Sequence, residues 1–183
     1  MRAKYSILAS MMAAVGFFNA GLVHAVNEEE LEKFGDVMQF ALPAIGLGAT
    51  AYYKDKEGAK QWAYSGLTAV GTTTVMKGIY QKIRPESDSP TSFPSGHTTG
   101  AFFGAAFLDQ RYGKWWGIPA YTAAGITGYS RVISDTQHVD DTVVGARTDI
   151  ITNRYLVTLV EVPGRLIPFT LKHHFEFAFF SKI

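Results

Sequence analysis

The chain has 183 residues, of which 47% are hydrophobic and 18% charged, and its formal net charge is +1. This length is typical of one domain with a substantial core, and the near-neutral charge argues against nucleic acid as a partner. Cysteine is absent, which excludes a disulfide framework and a thiolate metal site. The composition is apolar for a soluble protein, yet too polar for a chain that crosses the bilayer many times.

The N-terminus has the pattern of an export signal. Arg2 and Lys4 give a basic start, an apolar run follows, and the small residue Ala25 precedes a cleavage point. We therefore expect a signal peptide at 1–25 and one mature domain at 26–183, located in the periplasm or associated with a membrane of the cell envelope. An uncleaved N-terminal anchor is the alternative.

Apolar residues at helical spacing predict an all-α, single-domain bundle of about five to six helices. Pro85 disfavours helix at the residue before it, and the stretch 86–96 is rich in Ser, Pro and Gly, as loops are. A short C-terminal tail, 165–183, partly alternates, which fits an extended strand or an interfacial segment. The predicted helices cover residues 27–53, with a break near Pro43 as an alternative, 57–83, 97–113, 115–133 and 140–157.

Charged residues within the predicted helices bear on whether the bundle can span a membrane. The helices are rich in Gly, Ala and Thr, which allow close approach between helices. However, Asp36, Lys77 and Asp149 interrupt the apolar stretches, so that no inner segment is a charge-free span of 18 residues. The sequence predicts a soluble or membrane-associated bundle.

Three clusters of chemically active residues lie at the predicted helix ends. Each has a plain structural explanation by itself, since Lys77 and Arg84 can share a solvated helix face, Ser95 can cap a helix, and a histidine can stand at an acidic helix start. The clusters are Lys77 with Arg84, the "PSGH" of Pro94–His97, and Arg131 with His138 and Asp141.

Taken together, the clusters suit phosphoryl transfer. Two arginine forks and a lysine stabilise the charge that spreads over the phosphoryl oxygens. Ser95 and the N–H of Gly96 add donors at a helix N-terminus. One histidine can protonate the leaving oxygen, and a second can attack phosphorus if a carboxylate orients its ring. This chemistry requires no metal or other cofactor.

The motifs resemble those of the type 2 phosphatidic acid phosphatase and vanadium haloperoxidase superfamily, K-x6-R-P, P-S-G-H and S-R-x5-H-x3-D in that order. "KGIYQKIRP" and "PSGH" match the first two in full, and "SR" with Asp141 matches the ends of the third. The resemblance implies a helical bundle in which His97 is the general acid. It also implies that phosphate is held by Lys77, Arg84, Ser95, Gly96 and Arg131.

The third motif departs from the signature at its centre. The position of the nucleophilic histidine carries Gln137, and His138 follows it. An amide nitrogen is not basic and cannot accept a phosphoryl group. Either an extra loop residue brings His138 into the role, with Asp141 orienting it, or the chain is an impaired member that still binds phosphate.

The sequence thus predicts a metal-independent phosphatase that works through a phosphohistidine. The expected substrate is a phosphate monoester or diphosphate, most readily a lipid-linked one: phosphatidate, phosphatidylglycerophosphate, a polyprenyl diphosphate or lipid A. The expected partners are this ester and a membrane surface. The alternatives are a non-catalytic phospholipid-binding envelope protein and, less favoured, a soluble acid phosphatase or a vanadium haloperoxidase.

Overall fold

The computed structural model describes residues 27–159, and these residues form five helices and no strand. The predicted all-α bundle is therefore confirmed. The expected signal peptide and the C-terminal tail from 165 lie outside the described residues. The helices are α1 (Glu28–Tyr52), α2 (Lys56–Ile79), α3 (Gly96–Tyr112), α4 (Lys114–Ile133) and α5 (Val139–Leu156).

Local chemistry explains where the helices begin. Three glutamates occupy the first turn of α1, where the helix dipole favours negative charge. The side chain of Asp55 caps α2 by accepting a hydrogen bond from the N–H of Gly58 at 2.8 Å. Helix α1 continues through Pro43 without the break that the sequence left open. The carbonyl of Pro43 instead accepts a hydrogen bond from the indole of Trp62 on α2, at 3.1 Å.

The prediction that the second helix reaches residue 83 is wrong, because α2 ends at Ile79. Tyr80 leaves the helical conformation, and the chain runs on through a loop to Ser95. In this loop the Lys82 side chain reaches the acidic start of α5 and forms ion pairs there. Lys77 and Arg84 therefore do not share a helix face, which removes the plain explanation for that pair.

Helix α3 is the centre of the bundle and packs against all four other helices. It runs parallel to α1, since Gly100 lies against Gln39 and Gly104 lies against Leu42. Most of its residues are buried, and Gly104 and three buried alanines let the neighbouring helices approach closely. The core cluster consists of Leu42, Ala49, Ala101, Ala105, Phe107, Leu108, Tyr112, Ala120, Ala123, Ala124 and Val157.

The buried carboxyl group of Asp149 takes no part in the ion pairs of the described residues. Asp149 on α5 has no exposed surface, and neither of its oxygens has a hydrogen-bond partner among residues 27–159. Burial raises its pKa to about 8. At neutral pH this side chain is therefore mostly protonated and uncharged.

No helix among residues 27–159 is long and apolar enough to span a membrane.

The contact between α1 and α3 at Gly104 is expected to limit stability. A Cβ atom at this position would lie closer than 3.0 Å to backbone atoms of Leu42 and Pro43, so the two helices would have to separate. We expect Gly104→Ala to lower the free energy of unfolding by about 2 kcal/mol or more. Urea denaturation measures this change.

Gly125→Ala is the matched control, because Gly125 lies within α4, is exposed and has nothing within 4 Å of an added Cβ atom. This variant should be neutral or more stable by up to about 1 kcal/mol, since alanine is the better helix former. Equal losses in the two variants would contradict the packing argument.

Candidate functional site

The predicted motif residues meet at one end of the bundle, where α2 and α4 end and α3 and α5 begin. We call this the site end. The N–H of Ser95, just before α3, donates to the main-chain carbonyl of Asp141 at 3.0 Å. At Gly145 on α5, an added Cβ atom would stand 3.0 Å from the carbonyl oxygen of Ser95. The last two motifs are thus held together by direct backbone contact.

The Asp141 carboxylate is completely buried and receives hydrogen bonds from three residues, two in the α2–α3 loop and one at the start of α5. Lys82 donates to one oxygen at 2.8 Å, and the Ser92 hydroxyl donates to the other at 2.5 Å. The N–H of His138 reaches the second oxygen at 3.0 Å. Burial acts to raise the pKa of Asp141, but these hydrogen bonds outweigh it and hold the pKa below its ordinary value.

His138 is the imidazole that this carboxylate orients. Its Nδ1 lies 3.2 Å from Asp141, while 40% of its side chain is exposed. A carboxylate at Nδ1 favours the tautomer in which Nε2 carries the free electron pair. An oriented and partly accessible histidine is the arrangement that a nucleophile requires.

Gln137, in contrast, is only 3% exposed. Its N–H donates to the carbonyl of Arg131 at 3.0 Å, and its side-chain oxygen is buried without a partner among the described residues. Within residues 27–159 no hydrogen bond joins either Gln137 or His138 to Lys77 or Arg84.

Lys77 and Arg84 form a cationic pair at the site end. Burial lowers the pKa of Lys77, and the positive charge of Arg84 lowers it further. The Lys77 ammonium donates to the carbonyl of Thr91. The Nε atom of Arg84 is buried and has no partner in the described part of the chain. Two cations at the same end of the bundle, one with an unused donor, favour the binding of an anion there.

Ser95 and Gly96 stand at the start of α3, as the sequence predicts. The Ser95 hydroxyl caps the helix, accepting from the N–H of Thr98 at 3.4 Å and from the Thr98 hydroxyl at 3.1 Å. Gly96 is exposed, so its N–H stands at an accessible helix N-terminus. The plain explanation of Ser95 as a cap is therefore correct, and it is compatible with an anion site beside it.

His97 and Arg131 are held by α1, which the sequence did not connect with them. Asp36 on α1 lies 3.1 Å from His97 and 3.1 Å from Arg131. The Arg131 guanidinium also donates to the carbonyl of Glu32 at 2.6 Å and is only 3% exposed. Its fork is thus engaged by α1 and does not lie open to a ligand, whereas the resemblance implied that it holds phosphate.

The structure therefore brings the predicted residues to one end of the fold, but not into one contact network. His138 and Asp141 pair with each other, whereas His97 and Arg131 both pair with Asp36. The positive charge of Arg84 lowers the pKa of both Lys77 and His97. The sequence missed four residues of this region. Of these, Asp36 had a readable signal, since it is the last charged residue before the uncharged stretch 37–53 of the same helix. The missed residues are Glu32, Asp36, Lys82 and Ser92.

Two curated proteins resemble this chain. It is 32% identical over 84 residues to a lipid A 1-phosphatase of Porphyromonas gingivalis, covering 44% of this chain and 19% of that protein. It is 29% identical over 127 residues to a lipid A 4'-phosphatase of Helicobacter pylori, covering 63% of this chain and 64% of that protein. The chain is similar to lipid A phosphatases.

The similarity spans less than two thirds of the length of either relative. No family model matches the chain, and no solved structure matches it. Within residues 27–159, no group of three or more His, Cys, Asp or Glu side chains is placed to hold a metal ion.

Asp141 is expected to contribute more to stability than its neighbour Asp140. Asp141→Asn removes the buried charge that Lys82 pairs with, and we expect a loss of about 3 kcal/mol in the free energy of unfolding at pH 7. Asp140 also bonds Lys82, at 2.7 Å, but its side chain is 64% exposed. Asp140→Asn should therefore cost less than about 1 kcal/mol. Urea denaturation of both variants would contradict this ranking if their losses were equal.

Proposed function

We propose that this chain is a phosphatase of the type 2 phosphatidic acid phosphatase superfamily, removing phosphate from a lipid-linked ester. The observation that carries the proposal is the His138–Asp141 pair, an oriented imidazole at the same end of the bundle as Lys77, Arg84 and His97. The similarity to two proteins named as lipid A phosphatases supports the same reaction class.

In the proposed reaction, Nε2 of His138 attacks phosphorus and the bond from phosphorus to the ester oxygen breaks. His97 gives its proton to the leaving oxygen, which departs as the alcohol. Water then attacks the phosphohistidine, returns a proton to His97, and releases phosphate and free His138. The charges of Lys77 and Arg84 stabilise the phosphoryl oxygens in both steps.

Several apolar side chains around the site end support a substrate that is presented by a lipid surface. Phe40 on α1 and Ile79 at the end of α2 are 71% and 68% exposed, and Val139 at the start of α5 is 61% exposed. Exposed apolar groups around a cationic centre suit a phosphate head group with acyl chains beside it. We propose a membrane-surface substrate of the lipid A type, and export to the cell envelope through residues 1–25.

Two observations favour a second function, that of a phospholipid-binding protein without turnover. Gln137 occupies the nucleophile's place in the motif, and the Arg131 fork is already occupied by α1. Such a protein would keep the cations of Lys77 and Arg84, and would bind phosphate without transferring it.

Phosphate release from lipid A, phosphatidate and a polyprenyl diphosphate in detergent micelles, with p-nitrophenyl phosphate as the soluble ester, tests the proposed function. The proposal expects release from at least one lipid, faster than from the soluble ester. Binding of these lipids without any release would support the second function instead.

Substitutions at the two adjacent positions identify the nucleophile. His138→Ala should reduce turnover on the order of 10³-fold or more, because no other imidazole among residues 27–159 is oriented by Asp141. Gln137→Ala should reduce turnover only mildly. The measurement is steady-state phosphate release, with acid-labile phosphate on the protein as evidence for the intermediate.

The reverse pattern would contradict the assignment of His138. If the natural protein is nearly inactive and Gln137→His raises turnover by orders of magnitude, the nucleophile belongs at position 137. The second function would then describe the natural chain.

A further inference from the structure

Asp36 is a side chain outside all three motifs that nevertheless contacts two of them. One of its carboxylate oxygens lies 3.1 Å from Nε2 of His97 and 3.1 Å from Nη1 of Arg131. These two partners come from α3 and α4, while Asp36 comes from α1. A single oxygen thus joins three helices at the site end, and the Asp36 side chain remains 51% exposed to solvent.

The position of Asp36 is set by close packing of α1 on Arg131. One turn earlier, the carbonyl of Glu32 accepts from Nη2 of Arg131 at 2.6 Å. Gly35 allows this approach, because a Cβ atom there would stand 2.5 Å from the hydroxyl of Ser130 and 3.1 Å from Nη2 of Arg131. The backbone of α1 is therefore fixed against α4, and the Asp36 carboxylate is held beside His97.

We propose that Asp36 is a positioning residue for the phosphatase reaction, holding the imidazole of His97 by its Nε2 and fastening it to the guanidinium of Arg131. This inference rests on the proposed function, since it assigns a role in the same site. In it, Arg131 serves as the anchor for Asp36, which explains why its fork faces α1 and not a ligand.

The charges around His97 give this contact a measurable consequence. Burial lowers the pKa of His97, Arg131 on α4 lowers it further, and Arg84 in the α2–α3 loop also lowers it. Asp36 opposes these effects, because its negative charge and hydrogen bond raise the pKa. A general acid must be protonated before the reaction, so removal of Asp36 leaves fewer molecules competent at neutral pH.

Asp36→Asn tests the proposal, since asparagine keeps the size and loses the charge. The alkaline limb of the pH profile of kcat reports loss of the His97 proton, and we expect it to move to lower pH. At pH 7.5 kcat should fall about tenfold, part of the roughly 10²- to 10⁴-fold that a general acid contributes. KM should not rise, because removing a carboxylate does not weaken the binding of an anion.

Two further variants separate this role from a loss of structure. Asp36→Glu keeps the carboxylate and should restore part of kcat and move the alkaline limb back. Glu30→Gln removes one charge from an exposed position of the same helix and should leave the pH profile unchanged. An alkaline limb that stays in place in Asp36→Asn would overturn the proposal, as would an unchanged kcat.

Proton NMR titration of His97 gives a readout that does not need turnover, with His97→Gln used to assign its signal. We expect a lower pKa for His97 in folded Asp36→Asn than in the natural protein, and equal values would overturn the inference. If the natural protein releases phosphate from none of the esters, the proposed function fails. The titration then still decides whether Asp36 controls His97.

Discussion

The buried carboxylate of Asp141 is the interaction on which the site end depends. It fixes the start of α5 through the N–H of His138 and fixes the α2–α3 loop through Lys82 and Ser92. Its own carbonyl accepts from Ser95 at the start of α3. A buried charge is costly unless it is fully bonded, so these segments must come together for the chain to fold. The same requirement orients the His138 ring, so folding and preorganisation of the site are one event.

Local sequence was sufficient to predict much of the helical framework. The starts and ends of α3, α4 and α5 are predicted to within one residue, because Ser95, Gly113 and the acidic start of α5 are local signals. The end of α2 could not be predicted in this way. Lys82 leaves the helix to bond a residue 59 positions later in the chain, and no local pattern records such a contact. Nor could local sequence decide whether α1 breaks at Pro43, whose carbonyl accepts a hydrogen bond from Trp62 on another helix.

The contacts within the candidate site were even harder to predict from local sequence than the helix ends. The resemblance implied that Lys77, Arg84, Ser95 and His97 belong to one site, and all four lie at the site end. Spacing could not show that α1 occupies the Arg131 fork, since that depends on the glycine that lets α1 approach. Nor could it choose between Gln137 and His138. Only the structure of the first turn of α5 shows that Asp141 contacts the ring of His138.

Asp149 couples the folding of this chain to the uptake of a proton by its own carboxyl group. The carboxyl group ionises near pH 3.8 when the chain is unfolded and near pH 8 when it is buried in α5. Between these values the unfolded chain gives up a proton that the folded chain keeps. The contribution of this group to the free energy of unfolding is thus complete below pH 3.8. This contribution decreases by about 1.4 kcal/mol per pH unit as the pH rises from there towards 8. Mild acidity therefore favours the folded bundle at this position, whereas alkaline conditions force a charge into its interior.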